Sequence, residues 1–230
     1  MRSEAPILEL AMAVVEPRLD LAVNVPLSLR LQPGECALIE AADFRQLAVF
    51  ADLCGGLIKP QSGIVRFLGR DWQELPDDYA AAMRGRIGRV FASGAWVPFV
   101  NLETNILLPL LHHTWQDHGD LRSEALALAH RFGLPGLPLD RPEELSSADL
   151  DSAALVRAFL GEPLLVLVED QSGMSAHFSS AVFNAIATTC DRGGAVVWLA
   201  RERTIRGAAF PASQHLRLSD QGLALVRAAA

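Results

Sequence analysis

Two adjacent acidic residues, Glu169 and Asp170, are the side chains whose types and spacing most directly suggest chemistry. They directly follow the apolar run 164–168, which predicts that they lie at the end of a buried parallel strand. Carboxylate oxygens are the ligands that Mg²⁺ prefers, so this pair could hold that ion weakly. The alternative, which the sequence alone favours, is a solvated acidic strand end without a metal.

The junction between the first buried strand and the following helix is a second place where chemistry could occur, because a Gly-rich phosphate-binding loop lies between a strand and a helix. The residues at this junction do not form such a loop. The turn at 33–35 opens a short apolar strand at 36–39, and the window 40–48 follows. A Gly-rich phosphate loop uses backbone N–H groups as a cradle, a lysine on the outer phosphates and a hydroxyl on Mg²⁺. The window contains no glycine, no lysine and no serine or threonine, and the chain's single lysine, Lys59, lies outside it.

One further pattern imitates a catalytic motif. Residues 173–177 resemble half of a nucleophile elbow around Ser175, but that motif needs its serine immediately after the strand and a second glycine. Here the serine comes several residues later and His177 takes the place of the glycine. A hydrolase is therefore only a minor alternative.

The elements that must position these residues alternate between strands and helices. Loose alternation over 7–31 predicts antiparallel strands around a turn at 16–18. The remaining pattern predicts strands at 36–39, 64–69 (an edge strand), 88–91, 164–168 and 194–199, helices at 44–53, 101–111 (interrupted by Pro109), 121–132, 148–160 and 181–190, and a hairpin at 216–226. This order predicts an α/β sandwich with a mainly parallel sheet, and the mostly helical segment of about 85–160 predicts a subdomain beside it.

Composition and charge narrow the class of protein. The chain has 230 residues, half of them apolar, and a net charge of −7, which disfavours non-specific binding to nucleic acid. Its three cysteines, Cys36, Cys54 and Cys190, have no metal-ligand spacing, and no metal site is expected. No apolar run is long enough to span a bilayer, so we expect a cytoplasmic protein without direct membrane insertion.

The order of several motifs resembles the ATPase subunits of ABC transporters. The matching segments are Pro33-Gly34-Glu35, Gly55 to Gly63, Val90 to Ala95, Asn101 to Leu110, and Glu144-Leu145-Ser146, the last of which aligns with the start of the family's signature. The block from Val90 is most similar to the ATPases of MCE-associated phospholipid transporters. The resemblance implies an ABC-type nucleotide-binding fold, P-loop NTPase-like, with N-terminal antiparallel strands. It also implies one domain over 1–230, with the helical subdomain at about 85–160.

The same resemblance implies that every catalytic contact of the family is altered here. Each functional residue of the family aligns with a residue of another type in this sequence. The phosphate-loop lysine aligns with Gln46 or Leu47, the Q-loop glutamine with Ala92, and the signature glycines with Ser147 and Ala148. The Walker B pair aligns with Glu169 and Asp170 in swapped order, the D-loop aspartate with Ala176 and the switch histidine with Arg201. The chain also has no aromatic residue before Phe44 to stack on adenine. A catalytically degenerate pseudo-ATPase is therefore expected, because positioning is most of phosphoryl-transfer catalysis.

The vestigial nucleotide site implied by the resemblance carries negative charge where phosphates would lie. Its members are Glu40, Asp43, Arg45, Gln46, Leu47, Ser146 and Ser147. Like charges repel, and a single flexible guanidinium, that of Arg45, does not replace a cradle of glycine amides. No ATP or Mg²⁺ is expected as a cofactor unless the site is unconventional.

The segment 96–100 is unusually apolar, and its position in the resembled family implies a protein interface. Trp96, Val97 and Phe99 are the candidate contacts for a transporter permease. The alternative is that they fill the helical subdomain's own core. The partners implied are a permease and either an active ABC ATPase or a second copy, at the inner membrane. The competing functions are a divergent active ATPase that uses Arg45 with Glu169 and Asp170, or a free cytosolic regulator.

Overall fold

The computed structural model describes residues 5–16, 25–114, 116–170, 179–202 and 210–226, which form two sheets and six α-helices. The strands are β1 Leu8–Val14, β2 Leu27–Leu31, β3 Cys36–Ala41, β4 Ser62–Phe67, β5 Arg70–Asp71, β6 Ile87–Val90, β7 Leu165–Asp170, β8 Ala195–Arg201, β9 Gln214–Ser219 and β10 Gly222–Leu225. The helices are α1 Phe44–Cys54, α2 Asp77–Arg84, α3 Leu102–His113, α4 His118–Arg131, α5 Ser147–Phe159 and α6 Ser179–Asp191. The turn expected at 16–18 lies largely outside the described residues.

The larger sheet brings the candidate site residues to one edge. Its strand order is β10-β9-β3-β8-β7-β6, and all neighbours are parallel except the terminal hairpin of β9 and β10. Strands β3, β7 and β8 therefore end on the same side, at Ala41, Asp170 and Arg201. The smaller sheet, β2-β1-β4-β5, is antiparallel where its pairing is described.

Two hydrophobic cores lie on the two faces of the central sheet. Helix α1 and the antiparallel strands pack on one face, with Leu165 and Leu167 of β7 pointing toward them. Helices α3, α4 and α5 pack on the other face, with Val166 and Val168. Every residue of β7 is buried, as expected for a strand that is covered on both sides. Gly88 is necessary for this packing, because a Cβ there would overlap the backbone carbonyl of Ala158 in α5.

The structure confirms the predicted α/β fold class and corrects three details. Strand β4 is not an edge strand, because β1 pairs with one side of it and the two-residue β5 with the other. Helix α3 continues through Pro109 to His113, since buried side chains such as Leu107 and Leu110 hold the helix on both sides of the missing N–H. Helix α2 was not predicted. The division into one domain with a subdomain at about 85–160 stays a prediction.

Candidate functional site

The segment between β3 and α1 is where a phosphate loop would lie, and it contains only Ala42 and Asp43. Asp43 caps the helix, because its carboxylate accepts a hydrogen bond from the backbone N–H of Arg45 at 3.0 Å. The Arg45 guanidinium donates to the same carboxylate at 3.0 to 3.4 Å. These bonds lower the pKa of Asp43 below its ordinary value. A helix N-terminus attracts anions, and here it holds a carboxylate of the chain itself.

Of three other positions of the vestigial site, Glu40 has a side-chain partner, Leu47 packs in the core and Gln46 reaches the surface. Glu40 is buried at the end of β3, and its Oε2 lies 2.8 Å from Nε2 of His215 on β9. Leu47 is completely buried in the core, so it is a packing residue. Gln46 is half-buried on α1, and of the two positions that could match the family's lysine it alone reaches the surface.

The two carboxylates of β7 lie on opposite faces of the central sheet. Side chains alternate along a strand, so Glu169 points with Leu167 toward the α1 side, and Asp170 points with Val168 toward the helical side. Both residues are buried, Glu169 at 3% exposure and Asp170 at 1%. The expectation of a solvated strand end was therefore wrong, because β7 continues through both residues.

Glu169 is engaged by an arginine of the neighbouring strand. Arg89 of β6 places Nη2 at 2.7 Å and Nε at 2.9 Å from Glu169 Oε1. Its Nη1 comes within 2.7 Å of Asp52 Oδ1 on α1, at an angle that does not make a hydrogen bond. Burial raises the pKa of Glu169, while the charge of Arg89 and a bond from the backbone of Ala92 act in the opposite direction. The guanidinium thus joins β6, β7 and α1.

Asp170 has a different partner on the other face. The indole Nε1–H of Trp198, which is fully buried on β8, donates to Asp170 Oδ2 at 3.1 Å. Trp198 pairs in register with Val168, the residue two positions before Asp170 on the same face of β7. A hydrogen bond from a buried donor holds the carboxylate in place inside the core.

Of the remaining catalytic positions of the resembled family, Ala92 and Ser147 line one cleft of about 420 Å³ together with Glu169, while Arg201 is not part of its lining. Ala92 lies beside Glu169, to which its backbone N–H donates. Ser146 caps α5 by accepting from the N–H of Asp149 at 3.2 Å, and Ser147 is exposed in the first turn. Arg201 is exposed at the end of β8, while Ala176 lies outside the described residues.

The segment 93–100, here called the apolar loop, connects β6 to α3 and has an inner and an outer side. Trp96 is half-buried and packs against the core of the helical side. Val97 and Phe99 point outward, and the Phe99 side chain is 84% exposed. The two predicted alternatives, core filling and exposed interface, therefore apply to different residues of the same loop.

Two residues that sequence reasoning did not single out hold the apolar loop. Asn105 of α3 is buried, and it accepts from Val97 N–H at 2.8 Å and places Nδ2 3.1 Å from the Val97 and Val100 carbonyl oxygens. Arg157 of α5 donates to the carbonyl oxygens of Gly94 at 2.5 Å and Ala95 at 3.2 Å. The sequence signal that could have identified them is their polarity, since Asn105 carries an amide in an otherwise apolar helix and Arg157 carries a charge near the end of another helix.

The chain is similar in sequence to ATP-binding proteins of transporters. No protein-family model matches the chain. It is 26% identical over 185 residues to the pyoverdine export ATP-binding/permease protein PvdT of Pseudomonas entomophila, covering 80% of this chain and 28% of that protein. It is 29% identical over 175 residues to the lipoprotein-releasing system ATP-binding protein LolD of Coxiella burnetii, covering 74% of this chain and 75% of that protein. The chain thus spans less than a third of the length of the pyoverdine relative.

The fold matches that of a solved ABC transporter cassette. The dimeric structure of MJ0796, a bacterial ABC transporter cassette, superposes with a TM-score of 0.79 at 19% identity and covers 94% of this chain and 96% of its own. The chain has the fold of an ABC transporter cassette. The predicted ABC-type fold is thereby confirmed, whereas the finer resemblance to MCE-associated ATPases stays a prediction.

The apolar loop borders a cleft of about 390 Å³ between the two cores. The loop, α3, α5, β6 and the segment that follows α1 contribute to its walls. Within the described ranges, no three metal-ligating side chains come together. No helix in that same part of the chain combines the length and apolar character that crossing a bilayer requires.

Proposed function

We propose that this ATPase-like domain is a non-hydrolysing subunit that binds a transporter permease through the apolar loop and has a structural or regulatory role. The observation that carries the proposal is the buried contact between Arg89 and Glu169 at 2.7 Å. The carboxylate at the metal-ligand position of the resembled family already has a cation of the chain as its partner. Phosphoryl transfer depends on positioned Mg²⁺ and phosphate oxygens, and this arrangement does not fit them.

The start of α1 supports the same conclusion. A bound nucleotide would place phosphates near the first turn of that helix, where the carboxylate of Asp43 already accepts the Arg45 N–H. Two anions at one helix end repel each other. Asp170, at the general-base position of the resembled family, is buried beside the Trp198 indole on the other face of the sheet.

The apolar loop supports the binding role. Phe99 and Val97 are exposed apolar side chains on a backbone that Asn105 and Arg157 hold in place. A rigid loop with exposed aromatic surface loses little conformational freedom on binding, which favours association. The partner proposed is a permease at the cytoplasmic face of an inner membrane, with an active ATPase or a second copy completing the pair.

The two relatives are named for pyoverdine export and for lipoprotein release, and these are different substrates. A phospholipid cargo follows only from the resemblance of the Q-loop block to MCE-associated ATPases.

The first test separates a pseudo-ATPase from a divergent enzyme. We expect no saturable hydrolysis of Mg-ATP and no rise of the melting temperature at millimolar Mg-ATP, because a ligand that binds only the folded state would stabilise it. Saturable hydrolysis by the chain with its partners, lost in Asp170→Asn, would instead establish the divergent ATPase.

The second test addresses permease binding. We expect the tagged chain to co-purify with a permease from gently solubilised native membranes, and Phe99→Asp and Val97→Asp to lose this association while remaining folded. Arg122→Gln, which removes an exposed charge of α4 paired with Glu103 at 3.0 Å, is the matched control and should keep it. Recovery of the chain only from the soluble fraction would contradict the docking role and favour a free cytosolic regulator.

A further inference from the structure

The cleft beside the apolar loop combines an apolar wall with an excess of positive charge. Its apolar side chains include Leu57, Phe91, Val97 and Leu108, three of which are exposed at its rim. The charged residues that line it are Arg84, Arg89 and Arg157, and its described lining includes no aspartate or glutamate. This is a local cationic site on a chain whose net charge is −7.

The three arginines differ in how they are compensated. Arg89 faces the carboxylates of Glu169 and Asp52, each at 2.7 Å, so its charge is neutralised within the fold. Arg84 donates to the carbonyl oxygen of Gly56 at 3.2 Å and lies 5.9 Å from the ring of Trp72. No carboxylate among the described residues forms an ion pair with Arg84.

Arg157 is half-buried and forms no ion pair with a carboxylate of the described residues. Its described partners are the carbonyl oxygens of Gly94 and Ala95 and the rings of Trp96, at 4.1 Å, and Phe91, at 5.9 Å. Carbonyl dipoles and aromatic faces stabilise a guanidinium only in part. Burial lowers the pKa of Arg157 to about 10, so the group still carries its charge at neutral pH.

The positive charges and the apolar side chains of the cleft therefore indicate which kind of segment it can bind. We infer that the cleft binds an amphipathic segment of the partner protein that inserts a glutamate or aspartate side chain toward Arg157 and Arg84, between apolar side chains that contact Leu57, Val97 and Leu108. The inference rests on the proposed docking function and adds the chemical character of the docked segment. A carboxylate that arrives in a low-dielectric cleft meets cations that are already positioned, which gives specificity as well as affinity.

The test uses the whole chain and labelled synthetic helical peptides of about 15 residues, a length near the minimum for a stable isolated helix. The peptides share one leucine-rich face and differ at a single central position on that face, which is Glu, Gln or Lys. Binding is measured by fluorescence anisotropy at low and high salt. We expect the Glu peptide to bind about tenfold more tightly than the Gln peptide, which is typical of a modest interfacial charge pair. The Lys peptide should bind most weakly, and salt should reduce the difference between Glu and Gln.

Variants of the chain assign the effect to the cleft. Arg157→Gln should abolish the preference for the Glu peptide, and Arg84→Gln should reduce it. Arg131→Gln removes an exposed charge of α4 outside the cleft and should leave the preference unchanged. Because Arg157 also holds the apolar loop, circular dichroism and the melting temperature of each variant are measured alongside binding. The peptide comparison on the unaltered chain does not depend on the folding of any variant.

The outcomes distinguish this inference from the docking proposal on which it rests. Equal binding of the Glu and Gln peptides, with both weakened by Val97→Asp, would overturn the acidic-segment inference and leave docking supported. A preference for Glu that persists in Arg157→Gln and Arg84→Gln would overturn the assignment to these arginines. Binding of none of the peptides would overturn the inference, whereas loss of docking itself is judged by co-purification with the permease.

Discussion

The vestigial nucleotide region and the cleft beside the apolar loop differ in whether their charged side chains have oppositely charged partners within the chain. In the first region Asp43 faces Arg45 and Glu169 faces Arg89, while Glu40 contacts His215 and Asp170 accepts a hydrogen bond from the Trp198 indole. In the cleft, Arg157 has carbonyl oxygens and rings as partners and no carboxylate among the described residues. A region whose charges are internally neutralised gains little from an external ion, whereas an uncompensated buried charge gains much.

Arg89 connects the two regions, and its replacement is the change with the largest expected effect. Arg89→Met leaves Glu169 buried without its cation, and we expect a loss of about 3–5 kcal/mol in the free energy of unfolding. Urea denaturation at neutral pH measures this loss. The matched control is Arg66→Met, which removes a half-exposed ion pair with Glu9 at 3.0 Å and should cost about 0–1 kcal/mol. Equal costs for the two variants would contradict the internal-neutralisation account.

The anchoring of the apolar loop by Asn105 comes next in size. Asn105→Ala removes the side-chain bonds to Val97 and Val100 from a buried site and leaves their backbone groups unsatisfied. We expect a loss of about 2–3 kcal/mol. Hydrogen exchange should become faster at residues 97–101, because the loop would no longer be held.

The control for this variant lies on the same helix. Asn101→Ala removes only the cap of α3, a bond from the N–H of Thr104 at 2.8 Å, and should cost about 1 kcal/mol. Unchanged exchange in the loop of Asn105→Ala would refute the anchoring role.

The pH dependence of stability distinguishes the two vestigial carboxylates by sign. The pKa of Glu169 is raised above 4.5, so its contribution is complete below that pH and is lost as the pH rises through the raised pKa. The pKa of Asp43 is lowered from 3.8, so its contribution is present above that pH and is lost as the pH falls.

Urea denaturation from about pH 2 to about pH 8 measures both contributions against Glu169→Gln and Asp43→Asn. The difference between the unaltered chain and Glu169→Gln should fall with rising pH, and the difference from Asp43→Asn should rise. Two differences that change in the same direction would show that one of the assigned environments is wrong.

The outer side of the apolar loop should produce the smallest effect on the isolated chain. Phe99→Asp changes a side chain that is 84% exposed, so stability should stay within about 0.5 kcal/mol of the unaltered chain. Trp96→Asp should be clearly destabilising, because Trp96 stacks on Arg157 at 4.1 Å and packs against the core. Thermal denaturation compares the two, and a large loss in Phe99→Asp would mean that the loop's outer side is part of the core.

Much of the fold follows from local pattern. The apolar run 164–168, the helical spacing from Phe44 to Leu53 and the turn at 33–35 predicted a buried strand, a helix and the entry to β3, all of which the structure contains. These predictions hold because strand and helix periodicities depend on neighbouring residues alone. The run through Pro109 was mispredicted because packing of its neighbours outweighs one missing hydrogen bond.

The sequence by itself determined the residue types at the site: no lysine in the window 40–48, two acidic residues after an apolar run, and an apolar segment at 96–100. Only the tertiary structure decided their environments. It extends β7 through Glu169 and Asp170 onto opposite faces and brings Arg89, 80 positions away in sequence, to Glu169. It also leaves Arg157 among carbonyl oxygens and rings. The physical reason is that charge compensation depends on distances of a few ångströms across the fold, which no local pattern of residues encodes.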